Sequence, residues 1–191
     1  LGDVYKRQVV LLSEDPAVAA ASCRALIGLG VSAVPALLAR VQAPAVDRSG
    51  AYAAFALAQI GDGEGRTVVP AELRSALTEQ LQSPDSLTRV LAAIPLADLV
   101  FASTGGAAEP RADRARQLDQ ELVEAFLLVV EPQQFVPNID LLRSASEQRL
   151  VRHTGRAATS DPRQTWREWW DSNRDGFLGV RAVSYTHLTL P

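Results

Sequence analysis

The fold is decided by residues 15–42, DPAVAAASCRALIGLGVSAVPALLARVQ, which have the pattern of two short helices with almost no turn between them. Asp15 is suited to cap the first helix, and Pro16 is favoured at the first helical position because its missing N–H is not needed there. The first helix is expected to end at Gly30, and Pro35 falls in the first turn of the second. Helices joined by so short a turn lie nearly antiparallel, so the stretch predicts a helical hairpin.

Apolar residues recur at spacings of three and four in both helices, which predicts that each helix buries one face. The predicted buried positions are Val18, Ala21, Ala25, Leu26 and Leu29 in the first helix and Val34, Leu37, Leu38 and Val41 in the second.

The pattern of the hairpin recurs along the chain. Residues 47–61, DRSGAYAAFALAQIG, again end in an aliphatic residue followed by glycine. No segment shows the period-two alternation of a strand. Helix pairs that repeat about every 30 to 45 residues indicate an α-solenoid. The predicted fold class is therefore all-α, an α-α superhelix of about seven to eight helices. Further helices are predicted over residues 70–82, 83–100, 112–131 and 138–151.

Two stretches, ASCRALIGLGVSAVPALLARV and AYAAFALAQIG, resemble HEAT repeats of the short Ala-rich kind also called PBS-lyase HEAT-like. The resemblance covers about residues 14–131 within a repeat region assigned to residues 9–150, and it is closest in the first two units. The third unit departs from it, because IPLADL lacks the terminal glycine. The resemblance implies a non-enzymatic interaction or scaffold module that binds another protein along its concave face.

An enzymatic alternative follows from the same resemblance, since it includes bilin-lyase relatives. A lyase-like or accessory role would need a reactive group, and Cys23 is the candidate nucleophile, with His153 as its base. Cys23 lies on the Ala19–Leu26 face of the first helix, where a buried cysteine is the common case. No catalytic residue and no cofactor is therefore assigned, and the chain is predicted not to be an enzyme.

Residues 165–178, TWREWWDSNRDGFL, carry all three tryptophans. Their spacing predicts one apolar stripe on a helix of about 13 residues, which starts at the N-cap and first-turn pair Asp161 and Pro162. Residues 149–175, RLVRHTGRAATSDPRQTWREWWDSNRD, resemble a closing segment of HEAT-repeat proteins from environmental bacteria. In that segment a Thr-Gly step, an Asp-rich turn and Trp-x-x-Trp-Trp-x-x-Asn follow the last repeat, so residues 151–182 are assigned as a capping segment. The resemblance implies a structural cap over the last helix pair, formed by Trp166, Trp169 and Trp170.

A weaker alternative for the same segment is calcium-linked binding through residues 171–182. Asp171, Asn173 and Asp175 match positions 1, 3 and 5 of a calcium loop, but position 12 is Ala182 where a bidentate glutamate is needed. These three residues are the metal candidates of the chain.

Composition excludes some classes of function. The formal net charge of −3 argues against a nucleic-acid surface, which requires a basic stripe. No apolar run reaches the roughly 18–20 residues of a membrane span. Polar residues on otherwise apolar helices could line a concave face, but the pattern does not sort them from ordinary surface. These residues are Arg48, Glu72, Arg74, Glu79 and Arg89.

The two ends of the chain differ from its body. Residues 1–8, LGDVYKRQ, contain the only lysine, and residues 183–191, VSYTHLTLP, hold one of the two histidines. We interpret both as translated sequencing-adapter sequence that is not native. We therefore expect a fragment of a longer bacterial protein, and the cellular compartment stays open because a single cysteine cannot form an internal disulfide.

Overall fold

The computed structural model describes residues 15–41, 47–62, 68–103, 113–130, 139–154 and 165–177. These ranges contain eight α-helices, three short 3-10 turns and no strand, which confirms the predicted all-α class for this part of the chain. The end segments 1–8 and 183–191 lie outside it. The helices are α1 (Pro16–Gly28), α2 (Val34–Val41), α3 (Arg48–Asp62), α4 (Arg74–Gln80), α5 (Ser86–Ser103), α6 (Asp113–Val130), α7 (Ile139–Thr154) and α8 (Trp166–Asn173).

The first hairpin forms as its residues predict. The carboxylate of Asp15 accepts a hydrogen bond from the backbone N–H of Ala17 at 2.8 Å, and Pro16 occupies the first helical position. Gly30 takes a φ of +58°, a left-handed conformation that favours glycine. A 3-10 turn over Gly30–Ala33 then leads directly into α2.

The predicted buried face of α1 is wrong for three of its five residues. Val18 and Leu29 are 40% and 36% exposed, and Ala21 is also exposed. Ala25 is half-buried and Leu26 is buried, and the residues that pack inward with Leu26 are Ala19, Ala20 and Cys23. The physical reason is close approach, because small side chains let α1 come near α3. The Cys23 Sγ lies 3.6 Å from the carbonyl oxygen of Tyr52 on α3.

The odd-numbered helices pack in succession, α1 on α3, α3 on α5 and α5 on α7. Among the even-numbered helices, α2 packs on α3, α4 packs on α5, α6 packs on both α5 and α7, and α8 packs on α6. Because α3 and α5 are surrounded, residues 51–58 and residues 90–100 are buried without interruption. A helix enclosed on all sides needs apolar residues all round, which residues 51–58 provide and residues 90–100 provide at every position except Asp98.

Aspartates at the starts of α3 and α5 tie consecutive helices together. Asp47 accepts from the N–H of Gly50 at 2.9 Å and pairs with Arg40 of α2. Asp85 accepts from the N–H of Thr88 at 3.1 Å and pairs with Arg48 of α3 at 3.2 Å. Each carboxylate therefore caps its own helix and also binds an arginine of an earlier helix.

The pKa of both carboxyl groups reflects these contacts. Partial burial raises the pKa of Asp47 and of Asp85, but hydrogen bonds and the neighbouring arginine outweigh burial and lower each pKa below 3.8. Both groups are therefore charged at neutral pH, as a cap and an ion pair require.

None of the helices in the described ranges combines the length and the apolar character that a bilayer crossing needs.

Candidate functional site

The C-terminal helix α8 is attached to α6 through one carboxylate, that of Glu124. The indole Nε1–H of Trp170 donates to Glu124 Oε1 at 2.7 Å, and Arg167 Nη1 donates to Glu124 Oε2 at 2.9 Å. Arg174, just after α8, places its Nη1 3.8 Å from the same carboxylate. Partial burial raises the pKa of Glu124, but these hydrogen bonds and the two positive charges outweigh it and lower the pKa below its usual 4.5.

The three tryptophans form one aromatic group with Phe177. Trp170 is completely buried, whereas Trp166 and Trp169 are half-buried and pack against the core. The rings of Trp166 and Trp169 meet edge to face at 6.1 Å, and those of Trp170 and Phe177 meet edge to face at 5.2 Å. Such contacts add to the burial energy of aromatic side chains.

The start of α8 differs from the prediction. The helix begins at Trp166, and Thr165 is its N-cap, because Thr165 Oγ1 accepts from the N–H of Glu168 while the Glu168 carboxylate accepts from the N–H of Thr165. This reciprocal capping box fixes the N-terminal end of α8, which is eight residues long. The predicted start at Asp161 and Pro162 is therefore wrong, and those two residues lie outside the described ranges.

The calcium candidates are exposed and lie mainly on a helix. Asp171 is within α8, Asn173 is its last residue, and Asp175 sits in the following 3-10 turn. The Asn173 side chain donates its Nδ2–H to the carbonyl oxygen of Trp169 at 2.7 Å, so its amide serves the helix end. The described ranges hold no group of three His, Cys, Asp or Glu side chains placed to bind a metal ion, and Ala182 lies outside them.

Cys23, the candidate nucleophile, and His153, its candidate base, lie on different helices and have separate contacts. Cys23 is buried, and its Sγ–H donates to the carbonyl oxygen of Tyr52. Burial raises the pKa of the Cys23 thiol to about 12, so the reactive thiolate is scarce at neutral pH. His153 on α7 is buried beside Asp119 of α6, with 4.0 Å between Nδ1 and Oδ1, and its ring lies 6.5 Å from that of Phe126.

A buried ionic cluster between α5 and α7 was missed by the sequence reasoning. Arg149 Nη2 donates to Asp98 Oδ2 at 2.6 Å, and Arg152 Nη1 donates to Asp98 Oδ1 at 3.1 Å. The Arg152 guanidinium also lies over the Phe101 ring, 5.2 Å from its centroid. A signal was present, because Arg149 and His153 fall at helical spacing on the same face of α7 as the buried Leu142.

A groove of about 500 Å³ lies between the C-terminal end of α4 and one face of α6. We call it the α4–α6 groove. Arg89 of α5 borders it, and so does Arg174 after α8. Of the polar residues that the sequence could not sort, Arg89 is the one that lines this groove; Arg48 pairs with Asp85, and Glu72, Arg74 and Glu79 are exposed elsewhere. The remaining lining residues are Leu81, Gln82, Gln117, Gln120, Glu121, Glu124, Ala125 and Leu128.

No family model, no curated protein and no solved structure matches this chain significantly.

Proposed function

We propose that the chain is a segment of a HEAT-like α-solenoid that acts as a non-enzymatic protein-interaction module. The observation that carries the proposal is the succession of contacts from α1 to α3, α5 and α7, with an even-numbered helix packed beside each step. In a solenoid each helix pair contacts mainly its neighbours along the chain, so an open row of helices is built rather than a closed bundle.

The repeated caps support a repeating unit. Each of the first three odd-numbered helices follows an aspartate, namely Asp15, Asp47 and Asp85, whose side chain accepts from a backbone N–H of the first turn. An aspartate cap at the start of the first helix in each successive pair is expected of a repeating unit, whereas unrelated helices need not share it.

We further propose that α8 closes this row at its C-terminal end. α8 packs on α6, its tryptophans pack against the core, and the Glu124 carboxylate accepts a hydrogen bond from one of them, Trp170. The end of a solenoid must shield its apolar core from water. α8 is suited to this role, because it has an aromatic inner side and exposed polar residues such as Asp171 and Asn173.

The partner is proposed to bind the face that contains the α4–α6 groove. This groove lies between two even-numbered helices, and most of its lining residues are polar. The enzymatic alternative draws less support, because the Cys23 thiol is buried and its pKa is raised to about 12. Calcium-linked binding also draws less support, because Asp171 and Asn173 lie within α8 and the described ranges hold no group of three His, Cys, Asp or Glu side chains placed to bind a metal ion.

A display library of domain-sized bacterial protein fragments, selected on the immobilised chain, tests the proposed function. Selected fragments should lose binding to Gln117→Arg, which puts a larger side chain into the groove. Gln148→Arg, the same change at an exposed site on α7, is the matched control and should leave binding intact. Equal binding to both variants, or no selected fragment at all, would refute a partner at this face.

A further inference from the structure

We infer that the α4–α6 groove binds a short extended peptide segment that carries one acidic, one aliphatic and one basic side chain. The inference rests on the proposed function and adds the chemistry of the partner. Three properties of the lining residues support it, namely amide oxygens open to a ligand, two charges without an ionic partner in the described ranges, and an apolar floor.

The amide groups suit the main chain of an extended peptide. A glutamine side chain offers both N–H donors and a carbonyl acceptor, as a peptide backbone does. Gln117 donates from Nε2 to Glu121 at 3.1 Å, and Gln120 donates from Nε2 to the carbonyl oxygen of Arg174 at 3.2 Å. The Oε1 atoms of both residues remain available as acceptors for main-chain N–H groups. Gln82, exposed after α4, adds a third amide at the same groove.

Arg89 supplies a positive charge that no carboxylate in the described ranges neutralises. Its guanidinium donates from Nη2 to the hydroxyl of Ser86 at 3.1 Å, and its Nε is buried without a hydrogen-bond partner there. The other arginine of the groove, Arg174, already faces Glu124 at 3.8 Å. A carboxylate brought by a ligand would therefore pair with Arg89, since charge-assisted hydrogen bonds to a guanidinium are strong and directional.

Glu121 supplies the opposite charge. It accepts from Gln117 and has no cationic partner among the described residues, whereas Glu124 is taken up by Trp170 and Arg167. Among the described residues, the groove thus offers one charge of each sign that forms no salt bridge, Arg89 and Glu121. A nucleic acid, with phosphates of one sign only, would be repelled by the glutamates, so a peptide with both an acidic and a basic residue is the better complement.

The floor of the groove sets the third requirement. Leu81 and Ala125 are buried, and Leu128 is half-buried beside them. An aliphatic side chain of the peptide would cover these residues while its main chain meets the glutamines. The volume of about 500 Å³ is within the range of known ligand sites and accommodates a few residues but not a folded domain.

Selection of phage-displayed random peptides of about twelve residues on the folded chain tests this inference. Enriched peptides should share an acidic, an aliphatic and a basic residue at fixed spacing. A synthetic copy should bind Arg89→Glu at least about tenfold more weakly than the parent, as measured by calorimetry. Arg74→Glu, the same change at an exposed site of α4 outside the groove, should bind like the parent. A peptide with its acidic residue replaced by arginine should recover binding to Arg89→Glu.

The outcomes separate the two proposals. Peptides that bind Arg89→Glu and Glu121→Arg as tightly as the parent, or the absence of any enriched peptide, would overturn the inference. If domain-sized fragments still depend on Gln117, the proposed function stands without the peptide. If neither fragments nor peptides bind, both proposals fall. Arg89→Ala and circular dichroism of each variant distinguish a lost contact from a lost fold.

Discussion

Trp170 of α8 donates its indole N–H to Glu124 of α6 over 2.7 Å, and so joins two residues that are 46 positions apart in the chain. The same carboxylate lines the α4–α6 groove. Glu124 therefore contributes both to the attachment of α8 and to the lining of the candidate binding site. Loosening α8 should alter the groove even though α8 itself contributes none of the lining residues.

Replacing Trp170 by alanine should lower the free energy of unfolding by about 3–5 kcal/mol, because a completely buried indole and its hydrogen bond are lost. Trp166→Ala, at a half-buried position, should cost less. Urea titration gives the two values, and hydrogen exchange should show the amides of α8 losing protection first. Equal costs for both variants would contradict the central place given to Trp170.

The pairing of Glu124 should make the attachment of α8 sensitive to acid. Because the folded-state pKa of Glu124 is lowered, its contribution to stability is present above the usual 4.5 and is lost as pH falls through the folded-state pKa. The stability difference between the parent and Glu124→Gln should be largest near neutral pH and should shrink below about pH 4. Denaturant titrations across this range, followed by tryptophan fluorescence, measure it. A difference that is independent of pH would exclude an ionic contribution.

Leu37→Ala and Leu77→Ala should each lower the free energy of unfolding by about 2–5 kcal/mol, since both side chains are completely buried. Val31→Ala, at a site that is 60% exposed, is the control and should change stability by no more than about 0.5 kcal/mol. Thermal and denaturant unfolding report all three. A neutral result at either leucine would mean that its helix packs in another register.

The Cys23 thiol should resist modification in the folded protein. Both its burial and its pKa of about 12 keep the thiolate rare, so an aromatic disulfide reagent should react only after denaturant is added. The absorbance of the released thiol follows the reaction. Rapid labelling of the native chain would revive the enzymatic alternative.

Added calcium should not raise the melting temperature, because Asp171 and Asn173 lie within α8 and Asp175 in the 3-10 turn after it, whereas the ligands of a calcium loop come from an irregular loop. Asp171→Ala should melt like the parent with or without calcium. Differential scanning calorimetry at increasing calcium gives the answer, since a ligand that binds only the folded state must raise the transition. A rise of several degrees that Asp171→Ala abolishes would restore the calcium site.

Local physical chemistry in the sequence was enough to predict the helices and some of their ends. Asp15 and Pro16 begin α1 as predicted. Gly30, two residues after the end of α1, takes the left-handed backbone conformation that glycine adopts at little cost. Leu73, Leu77 and Leu81, which are spaced four apart within the predicted helix 70–82 and so share one face, are all buried. Helix capping and the spacing of apolar residues depend on residues that are close together in the chain, so both can be predicted from the sequence.

Only the tertiary structure shows which helices are in contact and which side chains those contacts bring together. In α1, small residues are found on both sides, so the sequence allowed both a buried Val18 and a buried Cys23, and only the packing shows that Cys23 faces α3 while Val18 is exposed. The α4–α6 groove likewise requires Arg89 and Glu121 to come together from different helices. An amphipathic pattern indicates that a helix has a buried face, but it does not indicate which neighbouring helix covers that face. Burial and charge pairing between distant segments therefore depend on the three-dimensional arrangement.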